Sequence, residues 1–334
     1  MGEAQLEVVL EVCAHFGLGD PVAVRPAGGS RHLSLAVETA RGKWLLRRRH
    51  EAYTDPRRLT FDHRVLAWLG EAGVPVAAPV ADDEGHTTWQ CAGGTWEAYP
   101  FVVGRPLCEG DPDDLATLAP ALAAFHQAGA GFPLRLPKAG PRGETDPGRL
   151  LGEIERVRYE APGARQALAP YRSAVVHAAA RLSRQEYADL PHTLVHGDVQ
   201  PANVLIADHR VAAFVDLDWC AWQPRLYDLC FALLCCALRH PEPIGQGDVW
   251  RLTQAPVLAP GAAAAFLDEY QRHASRLTRG ERAALPAQLT LTWCHIRVSN
   301  ALKVPPAERA GFLVRPGENP QVLLESIPCL SELP

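Results

Sequence analysis

Asp198 and Asn203 before it, and Asp216 and Asp218 after it, bracket the open end of a short apolar hairpin, where a core would not choose polar side chains. The runs Val204-Leu205-Ile206 and Val211-Ala212-Ala213-Phe214-Val215 flank the polar tetrapeptide Ala207-Asp208-His209-Arg210, which reads as two β-strands around a tight loop. If Ile206 pairs with Val211, Asn203 faces Phe214 and Asp216 lies one diagonal step away on the same face. A carboxamide and a carboxylate at that separation can share a hard cation such as Mg²⁺, which takes oxygen ligands. Asp198, on the preceding loop, is placed to accept a proton from a hydroxyl. A base beside a metal site is a layout suited to phosphoryl transfer.

The rest of the chain must position that hairpin. Leu6, Val9, Leu10 and Cys13 recur at helical spacing and predict an amphipathic helix ending near Gly17 or Gly19. Strands follow at 22–25, 33–39 and 43–48, with Gly28-Gly29-Ser30 turning between the first two. That turn can bring backbone amides to a phosphate, or it can be a tight hairpin with no ligand. It is no Walker-type loop, because no Gly-Lys-Ser/Thr follows it. A helix over 62–70, a proline-rich connector at 75–80 and strands at 87–90 and 95–103 complete a small antiparallel sheet with one helix packed on it. Beyond Gly104-Arg105-Pro106 helices dominate. They are predicted from Leu115 to Phe125 with a kink at Pro120, over 150–159 and 171–187, over the apolar 226–238, over 262–277 and 280–300, and near 322–326. Residues 133–147 read as a surface loop. The expected fold is α+β and bilobal, with a sheet lobe at 1–103 and a mainly helical lobe at 104–334.

With 334 residues, 47% hydrophobic and 21% charged, the composition is that of an ordinary globular protein long enough for two lobes. A net charge of −5 argues against a nucleic-acid partner held by phosphate neutralisation. The nine cysteines show no zinc-binding spacing and read as reduced thiols. Glu3, Glu7 and Glu11 do not suit a signal peptide, and no apolar run is long enough to span a bilayer. The expected compartment is the cytoplasm, with no membrane partner.

The segments His196-Gly197-Asp198, Asn203, Asp216-Leu217-Asp218 and Tyr227-Asp228-Leu229, in that order around a hairpin, resemble the signatures of the aminoglycoside phosphotransferase and choline kinase superfamily, whose fold is related to the protein kinases. The resemblance implies a bilobal kinase-like fold and an enzyme that uses ATP and Mg²⁺ to phosphorylate a hydroxyl of a small molecule. It implies Asp198 as base, with His196 fixing the catalytic loop, Asn203 and Asp216 as metal ligands, and Asp228 as a brace for the loop backbone. Asp218 is a second neighbour of the metal or a solvated turn residue. For the nucleotide, it implies Arg47 in place of the usual third-strand Lys, paired with Asp62 in place of Glu; a forked guanidinium reaching a shorter carboxylate would preserve the ion pair. Gly28, Gly29 and Ser30 would approach the phosphates, and the backbone near Val102, in the hinge 100–104, would receive the adenine edge. His126 matches a recurrent helix ending and is structural. The Arg and Asp replacements also leave open a nucleotide-binding pseudo-enzyme or regulatory module.

The acceptor is less defined. The first helix, the glycine turn and the late helix around Trp293 to Ser299 resemble the homoserine-kinase-like branch, which phosphorylates small amino alcohols. Candidate acceptor contacts are Trp219, Arg297 and Asn300; the last two, three apart, share a helix face. His295 and Arg297 lie about 200° apart and cannot face one pocket. Trp222 is a further aromatic near the metal segment.

Overall fold

The computed structural model describes residues 3–28, 32–91, 94–133, 138, 145–244, 248–258 and 261–315. Its first layer is a five-stranded antiparallel sheet of order β1-β2-β3-β5-β4, built from β1 (Pro21–Pro26), β2 (Leu33–Thr39), β3 (Gly42–Arg48), β4 (Trp89–Cys91) and β5 (Gly94–Pro100). Strand alternation decides its two faces. Leu35, Val37, Leu46, Trp96 and Ala98 point to one side and pack under Val9, Val12 and Cys13 of α1 (Glu3–His15) and under Phe16 just after it. Arg47 pairs in register with Glu97 on the other face, and Arg49, two residues on, joins them there.

Helix α2 (Pro56–Glu71) begins earlier than expected at Asp62, because Asp55 caps it through the Arg57 amide at 2.8 Å and Pro56 suits the first turn. Its apolar stripe, Phe61, Val65, Leu66 and Leu69, belongs to the larger core together with Leu118, Leu122 and Phe125 of α3 (Pro112–Ala130), not to the core under the sheet. Trp68 ties the two helices by donating to the Ala128 carbonyl at 2.8 Å. Helix α3 continues through Pro120 to Ala130.

The remaining helices are α4 (Pro147–Glu160), α5 (Arg165–Arg181), α6 (Arg184–Asp189), α7 (Leu226–Cys235), α8 (Ala262–His273), α9 (Arg279–Ala301) and α10 (Arg309–Val314). The single helix expected over 171–187 is two: Ser183 and Glu186 form a capping box that starts α6 afresh. The segment 322–326 lies outside the described residues.

Two small ribbons carry the polar segments. β6 (Arg105–Pro106), β8 (Val204–Ala207) and β9 (Arg210–Phe214) form one, and β7 (His192–Val195) pairs with β10 (Ala221–Pro224) in the other. The β8–β9 loop is shorter than the expected tetrapeptide: Asp208 and His209 alone turn the chain, both left-handed at φ 48° and 55°, as a two-residue hairpin loop requires. The register also differs. Ile206 pairs with Val211 as expected, but Leu205 pairs with Ala213 and Val204 with Phe214, so Ala212 is bulged. A bulge sets two residues against one. Asn203 is therefore opposite Val215, whose amide donates to the Asn203 carbonyl at 3.0 Å, and lies one residue nearer Asp216 than a regular ladder would allow. Gly104 crosses between the ribbons and the sheet so closely that a Cβ there would lie 3.1 Å from Leu205. No helix among the described residues is long and apolar enough to cross a membrane.

Candidate active site

The loop after β7 is held from below. Asp228, buried in α7, accepts from the His196 amide at 2.6 Å, the Gly197 amide at 2.9 Å and His126 Nε2 at 3.1 Å. His126 is in turn bonded to the Tyr270 hydroxyl at 2.8 Å. Gly197 is left-handed at φ 85°, and a Cβ on it would meet the Trp219 carbonyl oxygen at 2.3 Å, so only glycine fits. The His196 side chain reaches the Val215 carbonyl through Nε2 at 3.0 Å and receives the Asp198 amide on Nδ1 at 3.3 Å. It is fully buried, and burial pushes its pKa down. His196 thus fastens the loop to the end of β9 and does not reach the cleft.

That scaffold presents Asp198. One carboxylate oxygen, Oδ2, accepts from Asn203 Nδ2 and Gln200 Nε2, both at 2.9 Å; Oδ1 has no hydrogen bond among the described residues. Burial, then the negative charge of Asp216, pushes the Asp198 carboxyl up to about 7, against the opposing pull of Gln200, Lys303 and Asn203. A base titrating near neutrality with one oxygen open suits proton abstraction from an alcohol.

Asn203 spends its Nδ2 on Asp198, and its amide oxygen has no hydrogen bond among the described residues. Asp216 is half exposed, and Arg47 approaches its carboxylate at 3.8 Å. Its backbone is left-handed at φ 60°, a conformation that costs a non-glycine residue about 1–2 kcal/mol. No cluster of three or more His, Cys, Asp and Glu residues among those described is built to cage a metal. One carboxylate met only at long range by Arg47, and one amide oxygen without a hydrogen bond among the described residues, would fit an ion such as Mg²⁺, which completes its shell with water and phosphate oxygens.

Between this pair and the sheet lies a buried ionic network. Glu97 accepts from Arg47 Nε at 3.0 Å, Arg49 Nε at 2.7 Å, His63 Nε2 at 2.7 Å and the Tyr99 hydroxyl at 2.9 Å. Burial opposes its charge, but Arg47, Arg49 and His63 outweigh it and hold the carboxyl far below the usual range. The expected Arg47–Asp62 pair does not form. Arg47 is committed to its cross-strand partner Glu97, and Asp62 is met by Arg49 at 3.0 Å, by Arg58 one helical turn away at 3.7 Å and by Lys138 at 2.6 Å. The cation on Asp62 is thus displaced by two residues along the strand direction, which preserves its face.

Asp218 is not the solvated turn residue that one reading allowed. It is buried, its carboxylate meets Arg49 at 3.4 Å, Arg47 at 3.6 Å and His32, and its carbonyl accepts from Lys138 Nζ at 2.8 Å and from Arg58. Burial raises its pKa, but Arg47, His32 and Arg49 more than offset this and keep it well below the carboxylate norm. Four cations, Arg47, Arg49, Arg58 and Lys138, thus meet four carboxylates, Glu97, Asp62, Asp216 and Asp218. Sequence reading missed Glu97, Arg49, Arg58, His32 and Lys138. Glu97 had a signal, an acid flanked by Trp96 and Tyr99 in a strand; Lys138, in the loop expected to lie on the surface, had none.

Of the nucleotide candidates, Gly28 is left-handed at φ 83° and follows β1; Gly29 and Ser30 lie outside the described residues. Val102 follows β5 and uses neither its amide nor its carbonyl in a hydrogen bond among the described residues.

The acceptor candidates need correction. Arg297 is fully buried and donates to Tyr171 Oη at 3.3 Å, to the Phe312 carbonyl at 2.7 Å, to the Leu252 carbonyl at 2.5 Å and to the Arg315 carbonyl at 3.2 Å. It staples α9 to α10 and does not line the cleft, because four carbonyl and hydroxyl acceptors inside the helical layer outcompete solvent for its fork. Asn300 returns its amide to the Ile296 carbonyl at 2.8 Å. Trp219 sits over Gly197 through its backbone, and Trp222 lines a separate recess of about 500 Å³ with Ala130, Ala188, Leu190 and His192.

An antiparallel sheet over a helical layer, with an Asp-bearing loop and an Asn/Asp pair between them, is the arrangement of the protein-kinase-like phosphotransferases. The family model described as "Phosphotransferase enzyme family" matches residues 22–276, and the chain belongs to that family. Among curated proteins it is 26% identical to a homoserine kinase of Phenylobacterium zucineum over 83% of this chain and 78% of that one, and 25% identical to a homoserine kinase of Beijerinckia indica over 82% and 78%. Among solved structures, the amicoumacin kinase hAmiN in complex with AMP-PNP, Ca²⁺ and Ami superposes with a TM-score of 0.68 at 15% identity, covering 98% of this chain and 97% of that one. A microcompartment-associated aminopropanol kinase gives 0.63 at 21% identity, covering 92% and 95%.

Proposed function

We propose that this phosphotransferase moves the γ-phosphoryl group of ATP to a hydroxyl of a small amino alcohol or related metabolite, with Asp198 as base and Asn203 and Asp216 as ligands of Mg²⁺. One observation carries the reading: Asp198 has one oxygen fixed by Asn203 and Gln200, the other open, and a carboxyl raised to about 7. The bound Mg·nucleotide would supply the phosphoryl group, the leaving diphosphate and the neutralisation of its charge. The chain's residues do the rest. Asp198 Oδ1 takes the acceptor's hydroxyl proton as the new O–P bond forms. Asp228 holds the loop so that Asp198 stays in place, and His196 locks that loop to the metal segment. Arg47, fixed by Glu97, lies against Asp216 and is the cation available to the phosphates. Gly28 and the unengaged backbone at Val102 are the proposed contacts to the phosphates and the adenine edge. In this reading 1–103 is the nucleotide-binding lobe and 104–334 carries the base and the acceptor.

The amino-alcohol class is favoured by the curated relatives named homoserine kinase, which align along most of the chain. A nucleotide-binding module without turnover would have no use for the open oxygen of Asp198. The test is ATP consumption across amino alcohols, aminoglycosides, nucleosides and sugars, with Asp198→Asn as control. Turnover that this variant abolishes while nucleotide binding persists is expected. Turnover that survives the change removes Asp198 from its role.

A further inference from the structure

The contact between His32 and Asp218 joins two segments 186 residues apart, and nothing in the reaction proposed above uses it. His32 stands just after the glycine turn, and its side chain is 7% exposed. Its Nδ1 accepts from the His50 amide at 3.0 Å, so the remaining ring proton is on Nε2 and is donated to Asp218 Oδ2. The ring also meets the buried Tyr53 edge-to-face at 5.2 Å, and Arg58 lies over the same Tyr53 at 4.5 Å while bonding the Asp218 carbonyl. His32 is therefore held by the His50 amide and the Tyr53 ring, and its third contact is a carboxylate two residues beyond Asp216.

Asp216 is left-handed without being glycine. Such a conformation persists only where the surroundings over-determine it. On its N-terminal side, Val215 is pinned by Asn203 at 3.0 Å and by His196 at 3.0 Å. On its C-terminal side the Leu217 carbonyl accepts from the Cys220 amide at 2.9 Å and from Lys138 at 3.4 Å, and the remaining contacts fall on Asp218, where His32 is the one that comes from the start of β2.

We propose that His32 and Asp218 form a clasp between the start of β2 and the metal segment, which holds the Asp216 carboxylate in its ligating pose. His32 is a positioning residue, acting on the metal through Asp218 and Asp216. The inference rests on the reading of Asn203 and Asp216 as Mg²⁺ ligands and adds the residue that sets their geometry from the opposite lobe.

The test measures ADP affinity by calorimetry with Mg²⁺ and with EDTA, for the wild-type chain, for His32→Phe, which keeps the ring against Tyr53 but has no donor, and for His32→Gln, which keeps a donor without the ring. The expected result is that His32→Phe binds ADP in EDTA as the wild type does but loses about tenfold of the gain conferred by Mg²⁺, and that His32→Gln retains most of that gain. A His32→Phe chain with the full Mg²⁺ gain, or a His32→Gln chain as impaired as His32→Phe, overturns the clasp alone. A wild-type chain that binds no nucleotide overturns the underlying reading and the clasp with it. A second measurement needs no variant: adding Mg·ADP to the wild type should slow amide exchange at Leu33–Ser34 and at Leu217–Trp219 together, and protection of one segment without the other overturns the proposal.

Discussion

Asn203 donates its side-chain amide to the Asp198 carboxylate at 2.9 Å and to the Asp198 carbonyl at 3.0 Å, which makes the proposed metal ligand and the proposed base one hydrogen-bonded unit. Replacing Asn203 with Ala should therefore do two things at once. Activity should fall by about 10²-fold or more as metal affinity weakens. The pH at which activity rises should also move upward, because a hydrogen bond favouring the carboxylate is lost. A pH–rate profile at saturating Mg²⁺ reads both; a variant that loses rate with an unmoved profile would separate the two residues.

The raised Asp198 carboxyl has a rate consequence and a stability consequence of opposite sign. The base must be ionised, so kcat/KM should climb tenfold per pH unit below about 7 and level above it. For folding, the carboxyl binds its proton at about 7 in the native chain against an ordinary 3.8, so between those values the folded state holds a proton that the unfolded state has released. Stability from this group is full below pH 3.8 and is lost as pH rises through 7. Asp198→Asn should melt higher than the wild type at pH 8, with the difference vanishing near pH 4, while kcat drops by about 10²–10⁴-fold. Thermal melts at the two pH values decide it.

Asp228 is expected to be structural first. Asp228→Ala strands the His196 and Gly197 amides and His126 in the interior, each left-over buried donor costing about 1–3 kcal/mol. Denaturant unfolding should show a loss of about 3–5 kcal/mol, and any folded remainder should be nearly inactive.

Arg297→Ala separates acceptor binding from scaffolding. Its removal leaves the Leu252, Phe312 and Arg315 carbonyls without their shared donor. The expected outcome is a stability loss of about 3 kcal/mol or more, with the acceptor KM unchanged in the folded fraction. A selective rise in acceptor KM at full stability would return Arg297 to the cleft.

The elements that follow local rules were legible in the sequence. Strand alternation gave the sheet, helical spacing gave α1, α3 and α9, and the order of Asp198, Asn203, Asp216 and Asp228 marked the site residues that the structure brings together. What escaped was set by long-range pairing. The bulge at Ala212 has no composition signal, since alanine suits either a regular or a bulged position. Asp62 finds Arg49 and Lys138 only once β3, α2 and the post-α3 segment are folded together, and nothing in the sequence distance of 13 or 76 residues announces it. Arg297 looked available because its helix face was judged by periodicity, whereas α10, which covers it, is only six residues long. Asp218 looked exposed because two acidic residues flanking one leucine resemble a turn, until five donors from four segments converge on it.

Helix α2 carries the pairing carboxylate Asp62, yet its Phe61, Val65, Leu66 and Leu69 are sunk in the larger core and its Trp68 is bonded to α3. Pulling it away would uncover four large apolar side chains at about 1.5–3 kcal/mol each, an outlay comparable to the stability of a whole domain. A helix so anchored cannot serve as an on/off lever. The ion pairs that Asp62 makes with Arg49, Arg58 and Lys138 are thereby part of the fold itself, held by the same core that holds the helix.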